Sequence, residues 1–263
     1  MQGLLVRMKA NMAKNGLLAE QYTSVEYWHN LNWGKKGKKT DDESAKYENV
    51  FVEGLPYQRK VEEDGKPLIG KAAKKEEQRY EKAVDERKHM TLDQKRSFFH
   101  PTSHTGLPID YLTTLFDNRV TGEVMLNGRK TYVVESVPKP DAKPTDAQEK
   151  TALCWKETTW IDVADNVPAQ MEAVALENVA HSVKGMRIRL TWERLEPSPD
   201  DKGGQPVWAE KEFVGQGQVK WFFFSGRVRT EQDYSDWRKF EVDVRLLPDS
   251  VKMMTAGQNE EHP

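Results

Sequence analysis

The sequence predicts a mainly β protein: an open, strongly curved antiparallel half-barrel with two helices on its concave side. About ten segments are rich in strand-forming residues, and most are joined by short turn signals, which favours antiparallel pairing. Only two segments have helical character. Because two helices cannot cover one face of a flat sheet this wide, we expect the sheet to curl around them.

The chain begins with a predicted helix over residues 2–18. Its apolar side chains recur at helical spacing and are Leu4, Leu5, Met8 and Met12. Asn15-Gly16 is predicted to end this helix. Alternating patterns follow, which predict strands over 20–33, 46–53 and 57–63 and turns at 34–37, 54–56 and 64–65. The first part of the sheet is therefore expected to be a meander.

A second, long helix is predicted over residues 71–96, which are dense in Lys, Glu, Arg, Gln and Ala. Strand signals return at Tyr111, and the hairpin dipeptide Asn127-Gly128 lies among them. The predicted strands of this second part cover 112–116, 119–126, 131–137, 153–163, 170–179, 186–195, 208–213, 218–228 and 239–247. We expect one domain over 1–263, with flexible loops at 138–151 and 196–206 and a tail at 248–263.

Composition argues against several classes of protein. The 42 acidic and 40 basic residues give a net charge of -2, whereas a nucleic-acid-binding protein would show a strong basic excess. No apolar run approaches the ~20 residues that span a bilayer, so we do not expect a transmembrane protein. The single cysteine, Cys154, excludes an intrachain disulfide and a cysteine-based zinc ribbon.

Candidate catalytic and cofactor motifs are weak. His100 and His104 have the spacing of a helical metal site, but Pro101 disfavours a continuous helix between them. Three serines lie outside any G-x-S-x-G context and are Ser103, Ser225 and Ser235. The Gly215-Gln216-Gly217 segment is interpreted as a turn, because it lacks the third glycine of a dinucleotide site. We therefore predict no enzyme activity, no metal and no cofactor.

Aromatic and β-branched residues are more informative than these motifs. In the segment 221–224 both faces are apolar, which fits either a central strand covered on both sides or one face that lines a cavity. In the predicted strands that contain Ile188 and Phe240, one face is charged, so the apolar face is the covered one. In the strands that contain Tyr132 and Trp221, the choice of covered face stays open. The candidate ligand-binding residues are Tyr132, Val134, Ile188, Leu190, Trp192, Trp221, Phe223, Phe240, Val242 and Val244.

Several local patterns occur in a characteristic order along nearly the whole chain. After the N-terminal helix they are Glu20–Thr23, Gly54–Tyr57, Asp64–Leu68, the charged 71–96 helix, Asn127–Glu135, Trp160–Asp165 and Tyr234–Phe240. In this order the sequence resembles the bacterial outer-membrane lipoprotein-sorting (lipoprotein localisation factor-like) superfamily, in an uncharacterised branch. The resemblance implies an open half-barrel that holds acyl chains or senses lipoproteins. It also implies a periplasmic or cell-envelope location and a precursor whose signal peptide has been removed.

Our first hypothesis is a non-enzymatic envelope protein that binds a lipid or lipoprotein acyl chain in an apolar groove, with a role in transport. The alternative is an envelope sensor or interaction module that binds a protein partner through the same half-barrel. An enzyme centred on His100 and His104 is the third possibility. An empty groove would favour the first, a concavity filled by the protein's own side chains the second, and a polar pocket with histidines and carboxylates the third.

Overall fold

The computed structural model describes residues 1–34, 36–96, 108–198, 204–221 and 224–240, which form one antiparallel sheet and five helices. The strands are β1 (Tyr22–Gly34), β2 (Lys39–Val52), β3 (Leu55–Glu63), β4 (Lys66–Pro67), β5 (Phe116–Leu126), β6 (Arg129–Pro138), β7 (Trp155–Asp162), β8 (Pro168–Ala175), β9 (Arg187–Leu195), β10 (Val207–Trp221) and β11 (Phe224–Lys239). The helices are α1 (Gln2–Ala19), α2 (Gly70–Lys88), α3 (Leu92–Arg96), α4 (Ile109–Leu115) and α5 (Ala147–Ala152).

The eleven strands form an open sheet in the order β4-β3-β2-β1-β11-β10-β9-β8-β7-β6-β5. Every neighbouring pair is antiparallel, which confirms the predicted fold class. Strands that follow each other in sequence are neighbours, except that β1 pairs with β11 and joins the two meanders. No helix among the described residues has both the length and the apolar character needed to cross a membrane.

Two hairpin turns occur at the predicted dipeptides. Asp64-Gly65 has φ angles of 49° and 71°, and Asn127-Gly128 has φ angles of 50° and 78°. Positive φ at both central residues is the type I′ geometry that Asn-Gly and Asp-Gly favour, and its twist matches that of the flanking strands. The turn predicted at 54–56 lies one residue earlier, at Glu53-Gly54, and Leu55 already belongs to β3.

The predicted helix 71–96 is wrong as a single element, because α2 ends at Lys88 and α3 begins at Leu92. Thr91 starts the second helix with a reciprocal cap. Its backbone N–H donates to Gln94 Oε1 at 2.8 Å, and its hydroxyl accepts from the Gln94 N–H at 3.3 Å. This capping box stabilises a new helix start, which helix propensity by itself does not reveal.

Two further predicted elements are corrected. The strand predicted over 112–116 is mostly the helix α4, in which Leu112 and Leu115 bury the same face. The loop predicted over 138–151 contains the start of α5, where the Asp146 carboxylate accepts from the Glu149 N–H at 2.8 Å. α5 thus has a side-chain cap, whereas α4 has none; both helices bury apolar side chains in one cluster that contains Leu112, Leu115 and Ala152, and this packing outweighs the strand or loop character of the sequence.

The last two strands are longer than predicted. The separate strands expected over 208–213 and 218–228 are the continuous β10 and the beginning of β11, so Gly215-Gln216-Gly217 lies within a strand and is not a turn. Gly217 serves close packing there, since a Cβ atom at this position would lie 2.7 Å from Met186 Cα. Of the strand predicted over 239–247, residues 241–247 lie outside the described residues, as does the tail at 248–263.

The two longer helices occupy different places on the sheet. α1 lies on the concave face, where Leu4, Leu5 and Met8 contact Val134 and Ile161 in one buried cluster. α2 lies along β3, which pairs with β4 only at Glu62 and Glu63. The Arg87 guanidinium donates to the carbonyl oxygens of Leu55 and Pro56 at 3.0 and 2.9 Å. α2 therefore satisfies backbone acceptors of β3, close to the edge of the sheet.

Candidate functional site

A cavity of about 750 Å³ lies between α1 and the sheet. It falls within the range of roughly 300–1,000 Å³ that is typical of small-ligand sites. Most of its surface is apolar, and its aromatic side chains come from six strands. They are Tyr22, Phe51, Tyr57, Trp192, Trp208 and Trp237. The cavity is therefore suited to an apolar ligand.

The cavity exists because the sheet curls. Pro56 of β3 and Ile109 of α4 both line it, although α4 leads directly into β5. In the sheet order β3 is second and β5 is eleventh, so nine inter-strand steps separate them. In a flat sheet these steps would span about 43 Å. Only strong curvature brings the two ends of the sheet to one cavity.

α1 is attached to the sheet at the cavity by Asn15. The Asn15 side-chain N–H donates to the Trp208 carbonyl at 2.7 Å, and the Trp208 N–H donates to Asn15 Oδ1 at 2.7 Å. The side chain thus replaces a neighbouring strand at this point of β10. The helix continues to Ala19, so the predicted stop at Asn15-Gly16 is wrong. The side-chain amide of Asn15, which belongs to the predicted stop signal, forms this tertiary contact instead.

The loop between β7 and β8 supports the same region. Arg129 donates to both carboxylate oxygens of Asp162, at 2.6 and 2.9 Å. Burial would raise the pKa of Asp162, but the hydrogen bonds from Arg129 and from the Asp165 and Ala164 backbone N–H groups hold it below its ordinary value. The loop also reaches α1, because Asn11 donates to the Asp165 carbonyl at 2.7 Å. This ordered loop holds α1 over the cavity.

Few charged groups line the cavity. Lys9 forms an ion pair with Asp110, and both side chains are exposed. Glu20 follows the last residue of α1, and burial raises its pKa to about 7. No cluster of histidine, cysteine and acidic residues suited to a metal occurs in the described part of the chain. The His100 and His104 pair lies outside the described residues.

The predicted ligand-binding residues occupy several places. Trp192 lines the cavity, and Phe240 stacks on the lining residue Phe51 with 4.7 Å between ring centroids. Tyr132 and Val134 contact α1. Ile188 and Leu190 pack with other side chains of the concave face. Outside the described part of the chain lie Phe223, Val242, Val244 and the side chain of Trp221.

A packed cluster covers the part of the concave face that carries Ile188 and Leu190. Its buried members are Met171, Ala173 and Leu190, with Ile188, Trp155, Trp192 and Phe213 packed against them. Trp192 is thus shared between this cluster and the cavity wall. The concave face is therefore partly filled by the protein's own side chains and partly open.

Sequence reasoning missed several lining residues. The main ones are Glu20, Phe51, Tyr57, Trp208 and Trp237. Trp208 had a detectable signal, because it lies two residues after the 196–206 loop, on the strand that pairs with the strand of Trp192. For Glu20 and Trp237 the sequence contained no such signal, since their burial depends on the pairing of β1 with β11.

No protein-family model and no curated protein matches this chain. Among solved structures, it is similar to an outer membrane lipoprotein-sorting protein domain from Vibrio parahaemolyticus, with 13% identity, a TM-score of 0.37, and coverage of 91% of this chain and 96% of that chain. It is also similar to a LolA superfamily protein from Nitrosomonas europaea, with 8% identity, a TM-score of 0.34, and coverage of 93% and 98%.

A third similar structure comes from the MucA/MucB complex of Pseudomonas aeruginosa. It has 9% identity and a TM-score of 0.22, with coverage of 89% of this chain and 99% of that chain. Every lining residue and contact of the cavity given above belongs to this chain and not to the similar structures.

Proposed function

We propose that this protein is a non-enzymatic envelope protein that binds an acyl chain of a lipid or lipoprotein in the cavity under α1. The observation that carries the proposal is the cavity itself, with its volume of about 750 Å³ and its wall of aromatic side chains. Such a wall excludes water from a hydrocarbon chain without any reactive group. The partner is thus the apolar part of a lipid, and no catalytic step is needed.

The energy available from burial is sufficient for this role. Each buried methylene contributes ~0.8 kcal/mol, so a chain of ~14 methylenes would contribute roughly 11 kcal/mol before the costs of ordering. Loss of translational and internal freedom opposes binding by several kcal/mol. The balance corresponds to reversible binding, as a carrier in lipid or lipoprotein transport requires.

We place the protein in the periplasm or at the cell envelope, as a mature chain from a precursor with a signal peptide. The support is the order of sequence motifs from Glu20–Thr23 to Tyr234–Phe240 that resembles lipoprotein-sorting proteins. Mass spectrometry of separated cell fractions tests this location. Recovery of the intact chain from the cytosol alone would contradict it.

A second candidate function is a sensor or interaction module for an envelope protein. Part of the concave face is filled, since Leu190, Met171 and Ala173 form a closed cluster. In the described part of the chain, β5 pairs only with β6 and exposes Val120 and Val124. A strand edge with exposed apolar side chains is a surface that a partner strand can extend. This candidate becomes the better one if the purified protein carries no lipid.

Native mass spectrometry with lipid extraction tests acyl-chain binding. The residues of α1 that line the cavity are Lys9, Met12, Ala13, Asn15, Gly16 and Ala19. In the Ala13→Trp variant a large side chain enters the cavity from α1, and we expect bound lipid and uptake of a fluorescent fatty acyl probe to be lost. The matched control is Lys14→Trp, which adds the same side chain to an exposed position of the same helix outside the lining.

Circular dichroism must show an intact sheet in both variants. The proposal is supported if Lys14→Trp and the wild type retain lipid while Ala13→Trp does not. It is rejected if the wild type neither copurifies with lipid nor takes up the probe. Equal lipid binding by both variants would show that the ligand lies elsewhere on the protein.

A further inference from the structure

We infer that one end of the sheet docks on the surface of an anionic lipid bilayer, through exposed cations and aromatic residues of two neighbouring turns. The turns are the β1–β2 turn and the β10–β11 hairpin. The residues of this hairpin end are Lys36, Lys38, Lys220, Trp221, Phe224 and Arg227. Docking of this end goes beyond acyl-chain binding and does not depend on it.

The two turns lie side by side. Gly34, the last residue of β1, pairs with Gly226 of β11. β11 begins two residues earlier, at Phe224, which pairs with Trp221 at the end of β10. The β1–β2 turn starts in the same row, since the Gly37 N–H donates to the Gly34 carbonyl at 2.9 Å. Adjacent strands are about 4.8 Å apart, so the lysine turn and the aromatic hairpin are immediate neighbours.

The β10–β11 hairpin is also held on its other side. The Lys220 N–H donates to the His181 carbonyl at 2.9 Å, so the loop between β8 and β9 continues the sheet beside β10. Backbone hydrogen bonds from two sides therefore fix the strands that end at Trp221 and Phe224. A preformed end loses little conformational freedom when it meets a surface.

The hairpin end carries a local excess of positive charge. Its four cations are exposed, and none forms an ion pair with a described residue; they are Lys36, Lys38, Lys220 and Arg227. The neighbouring Lys39 is excluded from this group because it is paired with Asp42. Since salt screens exposed charges beyond about 10 Å, a bilayer surface meets this local excess rather than the net charge of -2.

Aromatic residues at the same end favour a bilayer as the partner. Trp221 and Phe224 are the paired residues at the ends of β10 and β11, and the Arg227 guanidinium lies 4.4 Å from the centroid of the Trp33 ring. Aromatic rings, tryptophan above all, settle at the level of lipid head groups. Each lysine or arginine close to an anionic bilayer adds about fivefold in affinity. Apolar contact and charge attraction together give stable binding at a bilayer surface.

The hairpin end is remote from the acyl-chain cavity. Tyr22 lines the cavity at the start of β1, and Gly34 lies twelve residues further along the same strand. At about 3.3 Å per residue, the two ends are about 40 Å apart along β1. Docking and acyl-chain binding can therefore be removed separately.

Co-sedimentation with vesicles at low salt tests the docking. We expect the wild type to bind vesicles of equal parts phosphatidylcholine and phosphatidylglycerol, to bind less as salt is raised, and not to bind pure phosphatidylcholine. The double variant Lys36→Glu with Lys38→Glu should bind the mixed vesicles at least about tenfold more weakly. The matched control, Lys74→Glu with Lys75→Glu, reverses two exposed charges on α2 and should stay within about twofold of wild type.

Trp221→Ser with Phe224→Ser removes two aromatic side chains and should also weaken vesicle binding about tenfold. Circular dichroism must show an intact sheet; should this variant unfold, the lysine pair on its exposed turn still decides the question. Ala13→Trp, which blocks the cavity, should retain vesicle binding.

Three results overturn the inference. The first is no binding of the wild type to the mixed vesicles, or equal losses in the two lysine pairs. The second is loss of vesicle binding in Ala13→Trp, which would assign the lipid contact to the cavity. The third is a dimer in lipid-free solution that Trp221→Ser with Phe224→Ser dissociates while vesicle binding stays unchanged, which would make a second copy the partner of this end.

Discussion

The indole Nε1 of Trp208 donates a 2.9 Å hydrogen bond to Asp165 Oδ2, although the two residues are 43 positions apart in the chain. Asp165 also accepts from Arg194 Nε at 2.8 Å and from Arg129 Nη2 at 3.2 Å. Because Trp208 is part of the cavity wall, the loop that carries Asp165 fixes the orientation of a lining side chain. The loop between β7 and β8 therefore takes part in shaping the candidate site.

Asp165→Ala should destabilise the protein and loosen the cavity wall. The change leaves Trp208 Nε1 without its acceptor and removes a carboxylate from two arginines. We expect a loss of about 2–4 kcal/mol in the free energy of unfolding. Urea denaturation measures it, with the exposed Asp141→Ala as the control that should stay within about 0.5 kcal/mol of wild type. Equal values for the two variants would show that the Asp165 network contributes nothing.

Asn15→Ala should release α1 from β10. It removes two 2.7 Å hydrogen bonds and leaves the Trp208 N–H and carbonyl without these partners. We expect a cost of about 1–3 kcal/mol. Faster hydrogen exchange in α1 but not in α2 should accompany it. Lys14→Ala, one residue away and exposed, should change neither quantity; unchanged exchange in α1 of Asn15→Ala would refute the attachment.

Glu20→Gln should change the pH dependence of stability. The folded pKa of Glu20 is about 7 against an ordinary value of 4.5, so as the pH rises between these values the unfolded state ionises first and the wild type loses stability. Glutamine does not titrate. Thermal unfolding should therefore show equal stability near pH 4, and above pH 7 an advantage of about 1–2 kcal/mol for Glu20→Gln, after allowance for partial solvation. A difference independent of pH would contradict a raised pKa.

Gly217→Ala should be more harmful than Gly215→Ala. A Cβ at Gly217 would lie 2.7 Å from the backbone Cα of Met186, which can move only with its strand. A Cβ at Gly215 would approach the outer ring atoms of Phe213 at 3.3 Å, and the ring can shift. We expect about 1–3 kcal/mol of destabilisation at Gly217 and less than about 1 kcal/mol at Gly215. Chemical denaturation of both variants decides whether the order holds.

Leu190→Ala and Trp192→Ala should separate packing from binding. Leu190 is 3% exposed and packs on Met171, so its truncation should cost about 2–5 kcal/mol. Trp192 lines the cavity, and its truncation should weaken acyl-probe uptake at least about threefold at temperatures where both variants are folded. A stronger loss of probe uptake in Leu190→Ala than in Trp192→Ala would indicate that the ligand binds at the Leu190 cluster.

The parts of the fold that sequence predicted correctly depend on short-range chemistry. Asp64-Gly65 and Asn127-Gly128 form the expected turns because both residues of each pair tolerate positive φ. The α1 helix was recognised from the spacing of its leucines and methionines, which face the sheet. The wrongly predicted elements lie where a helix cap or a tertiary contact determines the structure. An example is Thr91, whose capping box begins α3 after the end of α2.

The candidate site was predicted only in part. Alternation along a strand identifies the covered face, but it does not show which side chains pack against that face. Trp192 was placed on the covered face and lines the cavity, while Leu190 on the same face is enclosed by side chains of β8. The position of α1 decides whether Trp192 or Leu190 faces the open cavity. That position is set by Asn15 and Trp208, 193 residues apart.

By itself the sequence determined the antiparallel character of the sheet, two of its turns and the apolar face of α1, because each depends on residues within a few positions of one another. The tertiary structure alone decided the pairing of β1 with β11, and with it the cavity and the presence of both Glu20 and Trp237 in its wall. The physical reason is that curvature and burial are properties of the whole sheet. A carboxyl group that looks solvated in the sequence loses its water only when strands from both ends of the chain enclose it.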